Sequence, residues 1–171
     1  MKLIKEQVEL LEFERQRLMD QRTKLIDSKE DFKPRVYNGQ TTDIQYDVIR
    51  EISNMSRRIA EIDMTLETSE VVENPNTRYV QVGSVVNAFV RFSEDDTELL
   101  KFTVIEKRVS VESSQDYISL DSDFGKAIEN KNIGDVFYYD LPNGVAKGTI
   151  TEFEFERKDI GKTNVRMPKE D

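Results

Sequence analysis

From Ile44 to Leu66 the apolar residues fall at Val48, Ile52, Met55, Ile59, Ile62 and Leu66, with gaps that alternate between four and three. That rhythm puts them on one stripe of a helix packed against a second helix. Arg50, Glu51, Arg57, Arg58, Glu61 and Asp63 fill the solvated side, and no Gly or Pro interrupts the run. An earlier segment answers it. Between Leu3 and Asp31 an apolar residue recurs every seven positions, at Ile4, Leu11, Leu18 and Leu25, and the line continues to Phe32. Leu3, Val8, Leu10, Met19 and Ile26 flank it, and good helix formers occupy the rest. An arm of about 28 helical residues runs about 42 Å. Lys33-Pro34 ends it, because proline restricts the residue before it and cannot continue the hydrogen-bond ladder. Asn38-Gly39 is a turn dipeptide, and Thr41, Thr42 or Asp43 can cap the second arm. A link this short makes the arms antiparallel neighbours. The sequence holds no third amphipathic helix of matching length, so the hairpin is longer than a globule needs and projects something to a distance.

Glu73 to Thr77 breaks the helical pattern and reads as a linker around Pro75. Beyond it the apolar period falls towards two. Ser84–Phe92 and Leu99–Ile105 are predicted strands on either side of a turn at Glu94, Asp95 and Asp96. Val109–Gln115 is undecided. Asp121, Ser122 and Asp123 offer caps to a short helix from Phe124 to Ile128, closed by the stretch Asn132 to Asp135. Val136–Leu141 and Val145–Phe155 are strands joined by a hairpin turn at Pro142, Asn143 and Gly144. The predicted class is α+β: an antiparallel coiled-coil hairpin over residues 1–73, an antiparallel sheet module with one short helix over 78–157, and a polar, flexible tail over 158–171.

Charge changes this picture by restricting partners. The chain carries 34 acidic and 25 basic residues, a formal net charge of −9. The excess is spread over both parts, so neither is a basic module. Independent nucleic-acid binding through phosphate neutralisation is not expected; a protein partner with a basic surface is. With no Cys and no His, thiol chemistry, imidazole bases and ordinary zinc sites are excluded. The opening residues lack an apolar run of signal-peptide length, and no stretch is long and apolar enough for a bilayer. A cytoplasmic protein without membrane association is the expectation.

Candidate chemistry is confined to acids. Glu30, Asp31, Asp43 and Asp47 lie near the predicted hairpin tip and could hold Mg²⁺ in a partner's active site, or else Asp43 caps the helix and the others are solvated. Lys33, Arg35 and Arg50, with Tyr37 and Tyr46, could touch a nucleic-acid end or simply solubilise the tip. The stretch Asp121, Ser122, Asp123, Phe124, Gly125 and Lys126 is either a contact patch or a helix cap with Phe124 in the core.

These residues resemble a known family. Tyr46 to Arg50, then Ile59, Ile62, Leu66 and the exit Val71 to Glu73, are similar to the second coiled-coil arm of the Gre transcript-cleavage factors that bind bacterial RNA polymerase. Ile118 to Ile128, with Ile133 to Val136 and Leu141 to Gly144, resembles the C-terminal pattern Ile-Ser-Val-x-Ser-Pro-x-Gly-Arg-Ala-Leu, Val-Gly-Asp, Pro-Gly-Gly. The resemblance covers residues 1 to about 156. It implies a coiled coil followed by an FKBP-like domain that docks at the rim of the polymerase secondary channel through Asp121, Ser122, Asp123, Phe124, Gly125 and Lys126. It also implies a tip (Asp43, Tyr46, Asp47, Arg50) that enters the channel, where acids help hold Mg²⁺ during cleavage of backtracked RNA. The polymerase owns that active site, so the chain is expected to be no enzyme but at most a cofactor of one. Contact with RNA is expected only at the nascent 3′ end inside the complex.

The chain departs from the pattern in two places. The family tip reads Gly-Asp-Leu-x-Glu-Asn-x-Glu-Tyr. Aligned on Tyr46, its two acids fall on Gly39 and Thr42; aligned on Gly39 with one deletion, they fall on Gln40 and Asp43. Neither alignment keeps both carboxylates, and a hard cation needs several oxygen donors. Weakened or absent cleavage stimulation is therefore expected, with Asp43 the one metal candidate and no cofactor of the chain's own. Asp123 stands where the family usually has Pro. Two readings of other classes compete: a peptidyl-prolyl isomerase, which needs an aromatic pocket drawn from residues such as Phe89, Phe102, Phe124, Phe137 and Tyr139, and a coiled-coil adaptor without catalysis.

Overall fold

A short strand opens the chain, β1 (Lys2–Ile4), and runs directly into α1 (Lys5–Asp31); α2 (Asp43–Thr68) returns antiparallel and leads into β2 (Glu70–Val72). The computed structural model describes residues 1–31, 43–75, 78–109 and 116–154, and only the backbone at 29–31 and 43–45. The predicted turn at Lys33-Pro34 and Asn38-Gly39, the undecided stretch through Gln115 and the tail 158–171 lie outside the described residues.

The two seams pack as the spacing requires. Leu11 and Ile62 are almost fully buried against each other, with Val8, Leu18 and Leu66 around them, and Ile59 is buried one turn earlier on α2. Val48, Ile52 and Met55 are half-buried along the same stripe, while Glu51, Arg57 and Glu61 face water. Ion pairs flank the seam: Arg15 with Asp63, and Arg58 Nε and Nη2 on Glu14 at 2.8 and 3.0 Å.

Leu3 and Ile4 correct the predicted start of the first arm. They belong to β1, which pairs in parallel with β2 through Lys2↔Glu70, Leu3↔Val71 and Ile4↔Val72. Successive strand residues point to opposite sides. Leu3 accordingly buries in the hairpin seam, and Ile4 buries against Val82 and Ile105 of the following module. One dipeptide thus joins two cores, each side chain contributing about 1.5–3 kcal/mol on burial. Gln7 is fully buried at the same junction. Its Oε1 accepts from Ile4 N at 3.3 Å, the reach-back half of a capping box, and its Nε2 donates to Lys107 O at 3.0 Å.

The second module is a five-stranded sheet. Its strands are β3 (Val85–Arg91), β4 (Thr97–Ile105), β5 (Tyr117–Ser119), β6 (Val136–Leu141) and β7 (Gly144–Glu154), with α3 (Asp123–Ile128) between β5 and β6. The spatial order is β5-β4-β3-β7-β6. Four strands are antiparallel as expected, but β5 pairs with β4 in parallel, so the sheet is mixed. A bulge between Asn87 and Ala88 in the β3–β7 register lets Thr151 and Glu152 both face outward before Phe153 turns in. Val86, Ala88, Val90, Phe102, Val104, Phe137, Ala146, Ile150 and Phe153 build the inner face, with Ile128 of α3 packed against it.

Contacts between hairpin and module gather at the β1 end. Lys2 N donates to Glu106 Oε2 at 2.6 Å, and Arg58 Nη2 donates to Val109 O at 3.1 Å. The Glu14 carboxylate, bonded to Arg58, holds the guanidinium above its ordinary pKa, so it stays charged at any working pH. Since Arg58 is part-exposed, Arg58→Ala is expected to cost about 1 kcal/mol. A differential scan should read this as a Tm lower by about 2–4 °C; an unchanged Tm would mean that the three-way contact is idle.

Candidate functional site

Two places drew attention in the sequence, and both sit where a larger partner could reach them. The first is the turn between β5 and α3. Ser122 N-caps α3: its Oγ accepts from Gly125 N at 3.0 Å and donates to Ser119 O at 2.6 Å. Ser119 is buried, and its Oγ reaches both Glu106 O at 3.3 Å and the Asp121 carboxylate. Gly125 is required by close approach, since a Cβ there would stand 2.0 Å from Ser119 O and 2.7 Å from Leu120 Cα. The helix start is therefore clamped flat on β5 by two serines and a glycine.

Phe124 turns inward and is half-buried. Its ring packs edge-on to Phe102, Phe137 and Tyr139, with centroids 5.4, 5.3 and 4.9 Å away. It is the anchor of the turn rather than its contact surface, and Gly125 is buried beside it. What the turn presents outward is Asp121, Ser122, Asp123 and Lys126, all exposed. The aromatic pocket that an isomerase would need is here a set of rings filling one another's faces. Burial raises the Tyr139 pKa above its ordinary value, as expected of a phenol drawn into that cluster.

The second place is the far end of the hairpin. Tyr46, Asp47 and Arg50 lie on the first turns of α2 and are exposed, Tyr46 and Arg50 one turn apart on the same side. Asp43 is the first residue of α2, but its side chain, like those of Glu30 and Asp31, lies outside the described residues. Among the described residues no three acidic side chains converge as a metal site. Asp47 alone cannot supply the oxygen donors a hard cation needs, so the described residues do not fit a resident Mg²⁺.

Sequence reasoning missed Gln7, Arg58 and Ser119. Gln7 carried a signal, standing three residues after the residue that precedes the helix. Arg58 and Ser119 carried none, because their partners lie tens of residues away or across a turn.

Among the described residues no helix is long and apolar enough to cross a membrane. Residues 75–155 match the family described as "Transcription elongation factor, GreA/GreB, C-term". The transcription elongation factor GreB of Vibrio cholerae is 25% identical over 113 residues, covering 65% of this chain and 68% of that protein. Among solved structures, Gfh1 of Thermus aquaticus is 23% identical, with 91% of this chain and 98% of that chain covered and a TM-score of 0.38. The GreA/GreB factor from Nitrosomonas europaea is 23% identical, covering 64% and 93%, with a TM-score of 0.38.

Proposed function

Because this chain belongs to the Gre family of transcription elongation factors, we infer that it binds bacterial RNA polymerase at the secondary channel and regulates elongation there. We take residues 1–73 as the part that enters the channel, 78–157 as the part that docks, and 158–171 as an appended tail. The cytoplasm is the compartment this role requires. The observation that carries the reading is the rigid turn before α3: Asp123 is exposed on a clamped backbone, and Asp121, also exposed, is fixed by the hydrogen bond it accepts from Ser119, an acidic surface suited to a basic rim on a larger machine. At about 40 Å the 27 residues of α1 are long enough to carry the tip well away from that turn.

The reading assigns the chain no reaction of its own. Its side chains would dock and position; cleavage chemistry would belong to the polymerase. Tyr46 and Arg50 would face the RNA end by stacking and charge, and Asp47 and Asp43 would be the acids nearest to it. Since the chain retains at most one of the two family acids at the tip, stimulation of RNA cleavage is weak or absent. Occupying the channel without promoting cleavage makes the protein a competitor of factors that do promote it.

Retention on immobilised core polymerase tests the docking step. The parent chain should be retained, and Asp121→Lys with Asp123→Lys should weaken retention about tenfold, equivalent to about 1.4 kcal/mol; Asp123→Lys alone, which leaves the hydrogen bond from Ser119 to Asp121 in place, should weaken it in the same direction. Failure of the parent chain to bind, where a known channel binder is retained, overturns the reading. In a stalled, backtracked complex the protein should leave the cleavage rate near its unaided value. A large acceleration abolished by Asp43→Ala would overturn the cleavage part alone.

A further inference from the structure

The sheet has two faces, and α3 with its aromatic cluster covers only one. On the other, the strand register lines up Leu99 of β4, Phe89 of β3, Thr149 of β7 and Val136 of β6 side by side. Leu99, Phe89 and Val136 are 67%, 51% and 39% exposed, and Tyr138, one row over, is 60% exposed. Single exposed apolar residues are ordinary, but three of them in one row of four strands, interrupted only by Thr149, form a candidate contact surface.

The neighbouring row is Thr97, Arg91, Lys147 and Tyr138. Arg91 donates to the carbonyls of Ser93 and Glu94 at 3.1 and 3.4 Å, and Lys147 Nζ stands 6.0 Å from the Tyr138 ring centre. Neither cation meets a carboxylate within ion-pair distance among the described residues. On the other side of the apolar row stand Glu152 and Lys101, the latter paired with Glu154 at 2.6 Å, while Asp140 lies one row beyond Tyr138 and the turn Glu94 to Asp96 lies beyond Arg91. In a chain with net charge −9, an apolar row edged by two carboxylate-free cations specifies a partner with the opposite edge.

We propose that this outer face docks an amphipathic helix of a protein partner, with its apolar stripe on Leu99, Phe89 and Val136 and an Asp- or Glu-rich edge over Arg91 and Lys147. The dimensions agree. Four strands span about 14 Å, and apolar positions i to i+7 of a helix span about 10 Å. The cationic row lies about 7 Å from the apolar row, the offset of a helix flank from its stripe. Single-stranded nucleic acid suits the face less well. Phe89 and Tyr138 are separated by β7 and a row, and Leu99 and Val136 offer bases nothing to stack on.

The proposal is independent of polymerase docking, and its test uses no polymerase. A displayed library of helical peptides about 16 residues long is selected on the full chain. Enriched sequences should carry apolar residues at i, i+3, i+4 and i+7 with Asp or Glu along one edge. Binding of the best peptide, read by fluorescence anisotropy, should fall at least about tenfold in Phe89→Ser with Leu99→Ser, and in Arg91→Glu with Lys147→Glu. A Lys-edged version of the peptide should prefer the charge-reversed chain. These side chains are exposed, so Tm should hold; if Phe89→Ser lowers it, Leu99→Ser alone carries the test. The proposal is overturned if nothing is enriched, if basic-edged peptides win, if the variants bind unchanged, or if a labelled single-stranded RNA displaces the peptide.

Discussion

Gly125→Ala is expected to destabilise the sheet module by at least about 3 kcal/mol, a large share of the total stability of a domain. The added methyl would meet backbone on two sides, 2.0 Å from Ser119 O and 2.7 Å from Leu120 Cα, so no side chain can swing aside to admit it. The helix start must lift from β5. Lifting breaks the Ser122 bonds to Ser119 O and Gly125 N and draws Phe124 out of its ring contacts. Thermal unfolding followed by near-ultraviolet tyrosine dichroism should drop by about 10 °C, at ~3 °C per kcal/mol. Ser122→Ala removes only the cap and should cost about 1 kcal/mol. If Gly125→Ala melts within a degree or two of the parent, the turn is not clamped and cannot serve as a rigid docking surface.

Phe137→Ala is the second large effect, expected at about 3–5 kcal/mol in urea unfolding. The ring is 2% exposed, stacks on Tyr139 with centroids 6.4 Å apart, and meets Phe124 edge-on. It also lies flat against Gly148 of the neighbouring strand, where a Cβ would stand 2.1 Å from Cζ. The glycine is therefore part of the ring's seat. Gly148→Ala should be costly alone, and Phe137→Leu should recover part of that loss, so the pair should depart from additivity by about 1 kcal/mol or more. Strict additivity would mean that ring and glycine do not share one space.

The helices were legible because a seven-residue repeat sustained from Leu11 through Leu25 leaves little freedom: Leu11, Leu18, Ile59 and Ile62 are where the spacing put them. The antiparallel strands were legible from alternation, and even the bulge leaves a trace in the three-residue step from Ile150 to Phe153. What escaped was short and non-local. β1 has three residues, too few to display a period, and runs without a break into a helix whose pattern absorbs it. β5 is equally short, and a parallel pairing with β4 leaves no mark in the alternation of three residues. At the turn before α3, the cap and the glycine were readable from residue type. The inward turn of Phe124 was not, because it depends on Phe102 arriving from β4 and on Phe137 and Tyr139 arriving from β6. The outer-face row was hidden differently: alternation marks Phe89 and Tyr138 as outward, but only register reveals that they stand near Leu99 and Val136.

The junction at Leu3, Ile4 and Gln7 has leverage out of proportion to its size. A tilt of about 10° there would sweep the distal end of α1 through about 7 Å, given its length of about 40 Å. That sweep exceeds the spacing between a metal ion and its ligands several times over. The aim of the hairpin is thus governed by this junction, where Ile4 and Gln7, with Lys2 and Arg58, meet the sheet module, and a mutation there would misdirect the hairpin while leaving every residue of its far end intact.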